Sequence, residues 1–347
     1  MKRQIKTLEK ITLTDIALAL NKSVSTVSKA LSDSHEISQA TKELIRNYAE
    51  QHNFQHNQQA KSLRTGHSYI IGIIVPAIGN AFFSQILEGI EEELSDSPYG
   101  LLVVQSKNDV DAEKKCIDML FRQGVDGFII SPTGDKSNLS YLQELLDSKF
   151  PIVLIDRTNN ELNTHKVGIN NIASTYQAVD KLVHMGRKKI LYMTDQSQGV
   201  VKERLMGYMQ CLKSHGLFKE TDMILTFDLY DKDIDRKLHE SMQTVLNRPD
   251  CPDAIFTSTD FLTHKTFGIL KDMNVSIPKQ IAFMGFSNTP FSNCFSPPLS
   301  CVFQPAKEMG KIAVKKFEEL SVALKKDRKL EFDCVELNAE IIVRNSI

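Results

Sequence analysis

Apolar residues recur along this chain in distinct rhythms, and the changes between rhythms mark its parts. Across residues 12–31, TLTDIALALNKSVSTVSKAL, the spacing is helical. Leu13, Ile16, Ala17 and Leu20 fall at i, i+3, i+4 and i+7, the buried stripe of a short helix that Thr12 or Thr14 can cap. Asn21 breaks it, being one of the few residues besides glycine that tolerate the left-handed conformation of a tight turn. Ser23 is suited to cap a second helix, in which Val27, Ala30 and Leu31 point inward. Ser38, then Thr41, Lys42, Leu44, Ile45, Tyr48 and Ala49, predicts a third helix that closes this small core with Phe54 behind it. The rhythm lapses over residues 55–66, QHNQQAKSLRTG, a polar linker that still holds Ala60, Ser62 and Leu63 at helix-compatible positions.

From Tyr69 the pattern becomes continuous apolar runs alternating with amphipathic stretches. The runs 70–76, 101–106, 127–132 and 151–157 read as strands, separated by helices near 82–95, 111–123 and 138–148. The series restarts at 166–170 and continues with runs at 188–194, 223–227, 254–258 and 281–286. Strands near 332–337 and 340–344 finish it. The expected fold is an all-α headpiece followed by an α/β core of two doubly wound, parallel-sheet lobes. Its expected boundaries are a headpiece at 1–56, a linker at 57–66 and a core at 67–347. Within the core, the first lobe takes about 67–169 and 301–333, and the second about 170–300 and 334–347.

Charge sharpens this division. The chain of 347 residues has a formal net charge of -1, yet residues 1–67 hold ten basic against six acidic residues, while the rest leans acidic. Excess positive charge on a small helical unit suits phosphate contacts. On the second helix the face opposite the core carries Val24, Ser25, Ser28 and Lys29: hydroxyls, a methyl-bearing contact and a cation, where a recognition helix meets base edges. The charged start MKRQIKTLEK lacks the apolar run of a signal peptide, and no stretch is long and apolar enough to span a bilayer, so a cytoplasmic protein without a membrane partner is expected. Six scattered cysteines, with no CxxC pair or evident histidine partner, read as small hydrophobes or idle thiols, with no metal or cofactor. Phosphate-loop, dinucleotide, nucleophile-elbow and HExxH motifs are missing, which argues against an enzyme. Asp231, Asp233 and Asp235 imitate a calcium loop, but Arg236 stands at the glycine position and Met242 at that of the bidentate glutamate.

TLTDIA followed by STVSKAL, in order, resembles the DNA-binding headpiece of the lactose/galactose repressor (LacI/GalR) family, and the resemblance runs from Thr12 to Arg344. It implies a ligand-responsive transcription regulator, most simply a repressor of carbohydrate genes, that binds a pseudo-palindromic operator in double-stranded DNA as a homodimer. Ser25, Ser28, Lys29 and Val24 would read the major groove. Thr14, Thr26, Ser38, Thr41 and Asn57 would contact or position the backbone, Leu63 would wedge the minor groove from a hinge helix, and Ser23 and Ala60 complete the DNA-binding set. The family often has a proline just before that hinge, where this chain has His56. No leucine heptad follows the core, so a dimer is the expected assembly.

Ligands of such sheets bind at the carboxyl ends of strands. The resemblance implies a periplasmic-binding-protein-like cleft that holds a sugar or sugar phosphate. Its candidate residues are Asn80, Phe82 and Phe83 after the first strand, Ser131, the pair Asp156–Arg157, Arg204 in KERLMGY, Asp260, and Ser287–Asn288. One of the two phenylalanines is expected to be core, and Asp260 to divide between capping a helix and binding ligand. Ser287 and Asn288 replace two aspartates of the family's GFDD, which favours a ligand with its own negative charge, although amide and hydroxyl groups also bind neutral sugars. Arg204 offers the bidentate geometry that hydroxyls or carboxylates need. The competing reading is a solute-binding protein that never touches DNA, for which residues 1–66 would have no use.

Overall fold

The structure is a computed structural model that describes residues 11–52, 54, 67–133, 138–158, 161–196, 199–218, 223–326, 328 and 331–347. The chain divides into two compact units, Met1–Ser68 and Tyr69–Ile347.

Among the described residues of the first unit are three helices, α1 (Leu13–Ala19), α2 (Val24–Leu31) and α3 (Gln39–Gln51). Each begins on a hydroxyl cap. Thr12 and Asp15 form a reciprocal capping box at α1, Ser23 accepts from the Thr26 amide at α2, and Ser38 accepts from the Thr41 amide at α3. Thr12 is therefore the α1 cap. Asn21 turns the chain at φ 52°. Ile16, Val27, Ala30 and Ile45 are fully buried, and Phe54 packs against their cluster. Asp33, also in the left-handed region, takes Lys42 and Arg46 at 3.0 and 2.7 Å and so fastens the α2–α3 connection to α3.

The second unit is built from β1 (Ile70–Val75), α4 (Ala81–Glu93), β2 (Gly100–Gln105), α5 (Val110–Arg122), β3 (Gly127–Ile130), α6 (Leu139–Asp147), β4 (Ile152–Ile155), β5 (Lys166–Ile169), α7 (Asn171–His184), β6 (Ile190–Asp195), α8 (Val200–Ser214), β7 (Ile224–Phe227), α9 (Ile234–Leu246), β8 (Ala254–Thr257), α10 (Asp260–Asp272), β9 (Ala282–Phe286), β10 (Ser300–Phe303), α11 (Ala306–Lys325), β11 (Cys334–Leu337) and β12 (Glu340–Ile342). The strands make two six-stranded sheets, ordered β11-β5-β4-β3-β1-β2 and β12-β10-β9-β8-β6-β7. All pairings are parallel except that of β12 with β10. One core cluster runs through both lobes, and a further cluster lies in each lobe. That double covering is why the strands read as unbroken apolar runs.

The run at 166–170, where the strand series is expected to restart, belongs to the first sheet, since Val167 pairs with Ile155. The lobe boundaries differ from the sequence expectation in two places. β10 pairs in parallel with β9, Cys301 opposite Gly285, so residues 301–303 belong to the second lobe, and the chain crosses only at Gln304–Pro305. β11 lies beside β5, Cys334 opposite Lys166, so 334–337 belong to the first lobe. β11 is an edge strand of alternating exposure, and such a pattern carries no mark of which sheet it will join. The chain thus crosses between sheets three times, after β5, β10 and β11.

Two helix pairs approach closely enough to require glycine. A Cβ on Gly310 of α11 would lie 2.2 Å from the Ile86 carbonyl oxygen of α4, and one on Gly207 of α8 would lie 2.3 Å from that of Ile172 on α7. No described helix is long and apolar enough to cross a membrane.

Candidate functional site: a helix face in the first unit and a cleft in the second

On α2, the face away from the core presents Val24, Ser25 and Lys29 to solvent, with Ser28 half-buried. Val24 is 44% exposed, an apolar side chain left open to solvent. Lys29 is ion-paired with Glu36, both side chains about half exposed. Solvent screens such a pair, so a phosphate or base edge can replace Glu36 at small cost. Thr14 is exposed on α1. Ser23 and Thr26 share a hydroxyl contact of 2.8 Å, and Ser38 and Thr41 one of 2.9 Å, so Ser23 and Ser38 act first as caps and Thr26 and Thr41 as their partners. Asn57, Ala60 and Leu63, with the rest of the expected hinge at 57–66, lie outside the described residues.

In the second unit the candidate residues gather where the strands end. Arg204, on the first turns of α8, is buried, and each nitrogen of its guanidinium donates one hydrogen bond. Nε donates to Asn171 Oδ1 at 2.8 Å, Nη1 to the Ser258 carbonyl at 2.6 Å and Nη2 to Gln304 Oε1 at 3.0 Å. The plane lies over the Phe286 ring, 3.6 Å from its centroid. Burial pulls the guanidinium down to about 10, while Asp156 opposes this. Asp156 closes β4 with φ 67° and is itself buried. Burial raises its carboxyl above the usual range, against the pull of Arg157, Arg204 and the Ser131 hydroxyl. Arg157 turns toward Asn108 Oδ1 and the Pro132 carbonyl, the latter at 2.9 Å, bracing the loops after β2 and β3.

Three expectations change here. Phe82 and Phe83 are both buried in the core, edge to face at 5.1 Å, so neither offers an open face to a sugar ring. Asn80 caps α4, its Oδ1 accepting from the Phe82 amide at 2.8 Å. At α10 the cap is Thr259, which accepts from the Leu262 amide. Asp260 is thereby freed to accept from the Ser287 hydroxyl at 2.7 Å and the Asn288 amide at 3.3 Å.

Sequence reasoning missed the polar groups that join these residues. Asn288 Nδ2 donates to Gln85 Oε1 and to the Gln304 carbonyl, both at 2.7 Å, while Gln85 Nε2 donates to the Asn288 carbonyl at 2.9 Å. The Gln304 amide donates to Asn288 Oδ1 at 3.1 Å. Gln85 lies on α4 of the first lobe and Asn288 follows β9 of the second, so paired amides bridge the lobes. An aspartate at 288 would lack the N–H groups that reach Gln85 and Gln304. His264 adds a 2.9 Å contact to Ser287. Gln304 sits in the apolar-flanked stretch CVFQP and Asn171 doubles its neighbour in GINN; neither carries a signal by type alone. The acidic triplet is an ion-paired helix start, with Asp231 held by Lys237 and Arg236 by Asp233 and Glu240.

Comparison with known proteins agrees with this arrangement. Residues 12–57 match the family described as "Bacterial regulatory proteins, lacI family", and residues 68–325 match "Periplasmic binding proteins and sugar binding domain of LacI family". The chain is 26% identical over 337 residues to the HTH-type transcriptional repressor PurR of Aliivibrio salmonicida, covering 97% of this chain and 98% of that protein. It is 27% identical over 308 residues to the repressor CytR of Escherichia coli strain K12, covering 87% of each. Among solved structures, the lac repressor dimer bound to operator and the anti-inducer ONPF superposes with a TM-score of 0.84 at 19% identity, over 97% of this chain and 99% of that one, a likeness of fold.

Proposed function

The chain belongs to the LacI family of bacterial regulatory proteins, and on that premise we propose that it is a ligand-responsive repressor: a homodimer that binds a pseudo-palindromic operator and releases or tightens it when a small molecule enters the inter-lobe cleft. In this reading α2 enters the major groove. Val24 meets thymine methyls, Ser25 and Ser28 meet base edges, Lys29 leaves Glu36 for the DNA, and Thr14 with the cap hydroxyls positions the backbone. Leu63 wedges the minor groove, as the family resemblance implies. The repressor acts in the cytoplasm, where operator DNA lies, and its task contains no catalytic step.

The observation that carries the ligand response is the chain of hydrogen bonds from Arg204 through Gln304 and Asn288 to Gln85. Gln304 lies in one of the crossings between lobes, and Gln85 lies across the cleft from Arg204. A ligand with hydroxyls or an anionic group that takes Arg204 Nη2 displaces Gln304. That loosens the amide pair between lobes and changes the angle at which they sit. Asp156, Arg157, Asp260 and Ser287 complete the polar lining, and a sugar or sugar phosphate fits donors and acceptors so mixed.

Arg204→Ala tests this directly. It is expected to abolish the effect of the ligand on DNA binding and, because it also frees Gln304, to leave operator affinity without ligand near the value the unsubstituted protein has with ligand. Fluorescence anisotropy on labelled operator, with and without ligand, reads both quantities. An unchanged ligand response would remove Arg204 from the pocket.

A further inference from the structure

On the outer face of the second lobe, α7 and α8 bring together groups that the ligand response does not use. Asp180 and His184 are four residues apart on α7, and Cys211 and His215 are four apart at the end of α8, so each pair lies on one helix face. The close α7–α8 approach at Gly207 brings the two faces together. His215 Nε2 lies 2.8 Å from Asp180 Oδ1, and one ligand atom each from Asp180, Cys211 and His215 lie within 4.8 Å of one another. His184 Nδ1 is 3.1 Å from Asp180 Oδ2, and its ring meets that of His215 edge-on at 5.6 Å.

We propose that Cys211 Sγ, His215 Nε2 and Asp180 Oδ1 form a binding site for a divalent transition metal of the zinc class, with His184 beside the free oxygen of Asp180. One thiolate, one imidazole and one carboxylate form a mixed soft and borderline set that selects zinc or cobalt over calcium or magnesium. Tetrahedral zinc at 2.0–2.3 Å from its ligands sets them roughly 3.3–3.8 Å apart, so His215 Nε2 and Asp180 Oδ1 would open from their 2.8 Å contact while the widest spacing, within 4.8 Å, would close, both by side-chain rotation. Cys211 is buried on the inner side, whereas Asp180 and His215 are each 29% exposed, so the metal would sit at the rim with its fourth position open to water. On binding, the Cys211 S–H bond breaks, its proton passes to water, and the sulfur–metal bond forms. His184 Nδ1, which contacts the Asp180 backbone carbonyl at 2.9 Å and stands 3.1 Å from Oδ2, is placed to act as the kind of outer partner that orients a metal ligand. Where a spaced pair was sought by sequence motif, Cys211 showed no partner; its partner is the histidine one helical turn later.

A bound metal would tie the carboxyl ends of two helices whose amino ends are already tied by Arg204 and Asn171. It would hold the helix pair that carries the effector arginine.

The test uses the full chain without an affinity tag, stripped by chelator and titrated with Co2+. One cobalt per chain is expected, with the visible bands of tetrahedral cobalt and a thiolate-to-cobalt charge-transfer band, all displaced by Zn2+. Cys211→Ser should remove the charge-transfer band, and Cys294→Ser, at an exposed thiol, should leave it. His215→Asn should weaken binding by at least tenfold and His184→Asn by about tenfold. Should Cys211→Ser fail to fold, His215→Asn at the surface carries the decision. Absence of saturable binding, survival of the charge-transfer band in Cys211→Ser, its loss in Cys294→Ser, or unchanged affinity in His215→Asn would reduce the cluster to an Asp180 ion pair with two histidines and overturn the proposal.

Discussion

Arg204 donates to three acceptors from three different segments, and no spacing rule reveals such a convergence. Its place in KERLMGY singled it out by resemblance, and the structure buries it among polar partners. Its partners Asn171, Gln304 and Gln85 are neutral amides, whose role comes only from what folding sets beside them. Burial likewise decided the reading of Phe82 and Phe83, because an aromatic after a strand looks the same whether it faces a ligand or the core. His165 gives a testable case of chemistry set by surroundings. It is buried, its Nδ1 accepts from the Asp333 amide at 3.0 Å, and its ring meets Phe332 edge-on. Burial, and then Lys316, lower its pKa below the ordinary 6.5, while Asp333 and Glu319 pull the other way. The unfolded chain therefore takes up a proton that the folded one resists. Stability is full above 6.5 and falls as pH drops from there through the lowered folded value. Urea titrations between pH 7.5 and about 5 should show this decline, and His165→Phe should make the curve flatter over that window. An equally steep decline in the variant would assign the titration to another group.

At the scale of elements, periodicity located α1 to α3 and most strands of the two lobes, since a helix with one apolar face and a strand buried on both faces have distinct signatures. It failed at β11, β10 and the restart at β5, where a short strand's sheet is decided by hydrogen-bond partners remote in sequence. Caps were legible because their chemistry is local: Ser23 and Ser38 each satisfy an amide three residues on. Ser23→Ala should therefore weaken α2 by about 1 kcal/mol. Hydrogen exchange at the Thr26 amide and its α2 neighbours should then run roughly fivefold faster, and operator affinity should fall with it. Unaltered exchange at Thr26 would mean that the cap bond of 3.0 Å contributes nothing in solution.

On the scale of the whole molecule, the division between a basic helical unit and a bilobal one that leans acidic was visible as a change of rhythm and charge near residue 67. The bridge across the cleft was not. It depends on Asn288, which stands where the family resemblance leads one to expect an aspartate, and on Gln85, which sequence alone gave no reason to notice. The claim that joins the two units is that a small molecule bound between the lobes governs how tightly the headpiece holds DNA. The measurement that meets it most directly is a fluorescence titration of the purified protein against DNA fragments from upstream of its own gene. It would be made at two salt concentrations and with a panel of sugars and sugar phosphates. The account predicts one fragment bound far more tightly than random DNA, with affinity that falls steeply with salt and shifts with one ligand of the panel. If no fragment competes better than random DNA while a sugar still binds, the protein is a solute-binding one, and the account of α2 as a DNA-reading helix is wrong.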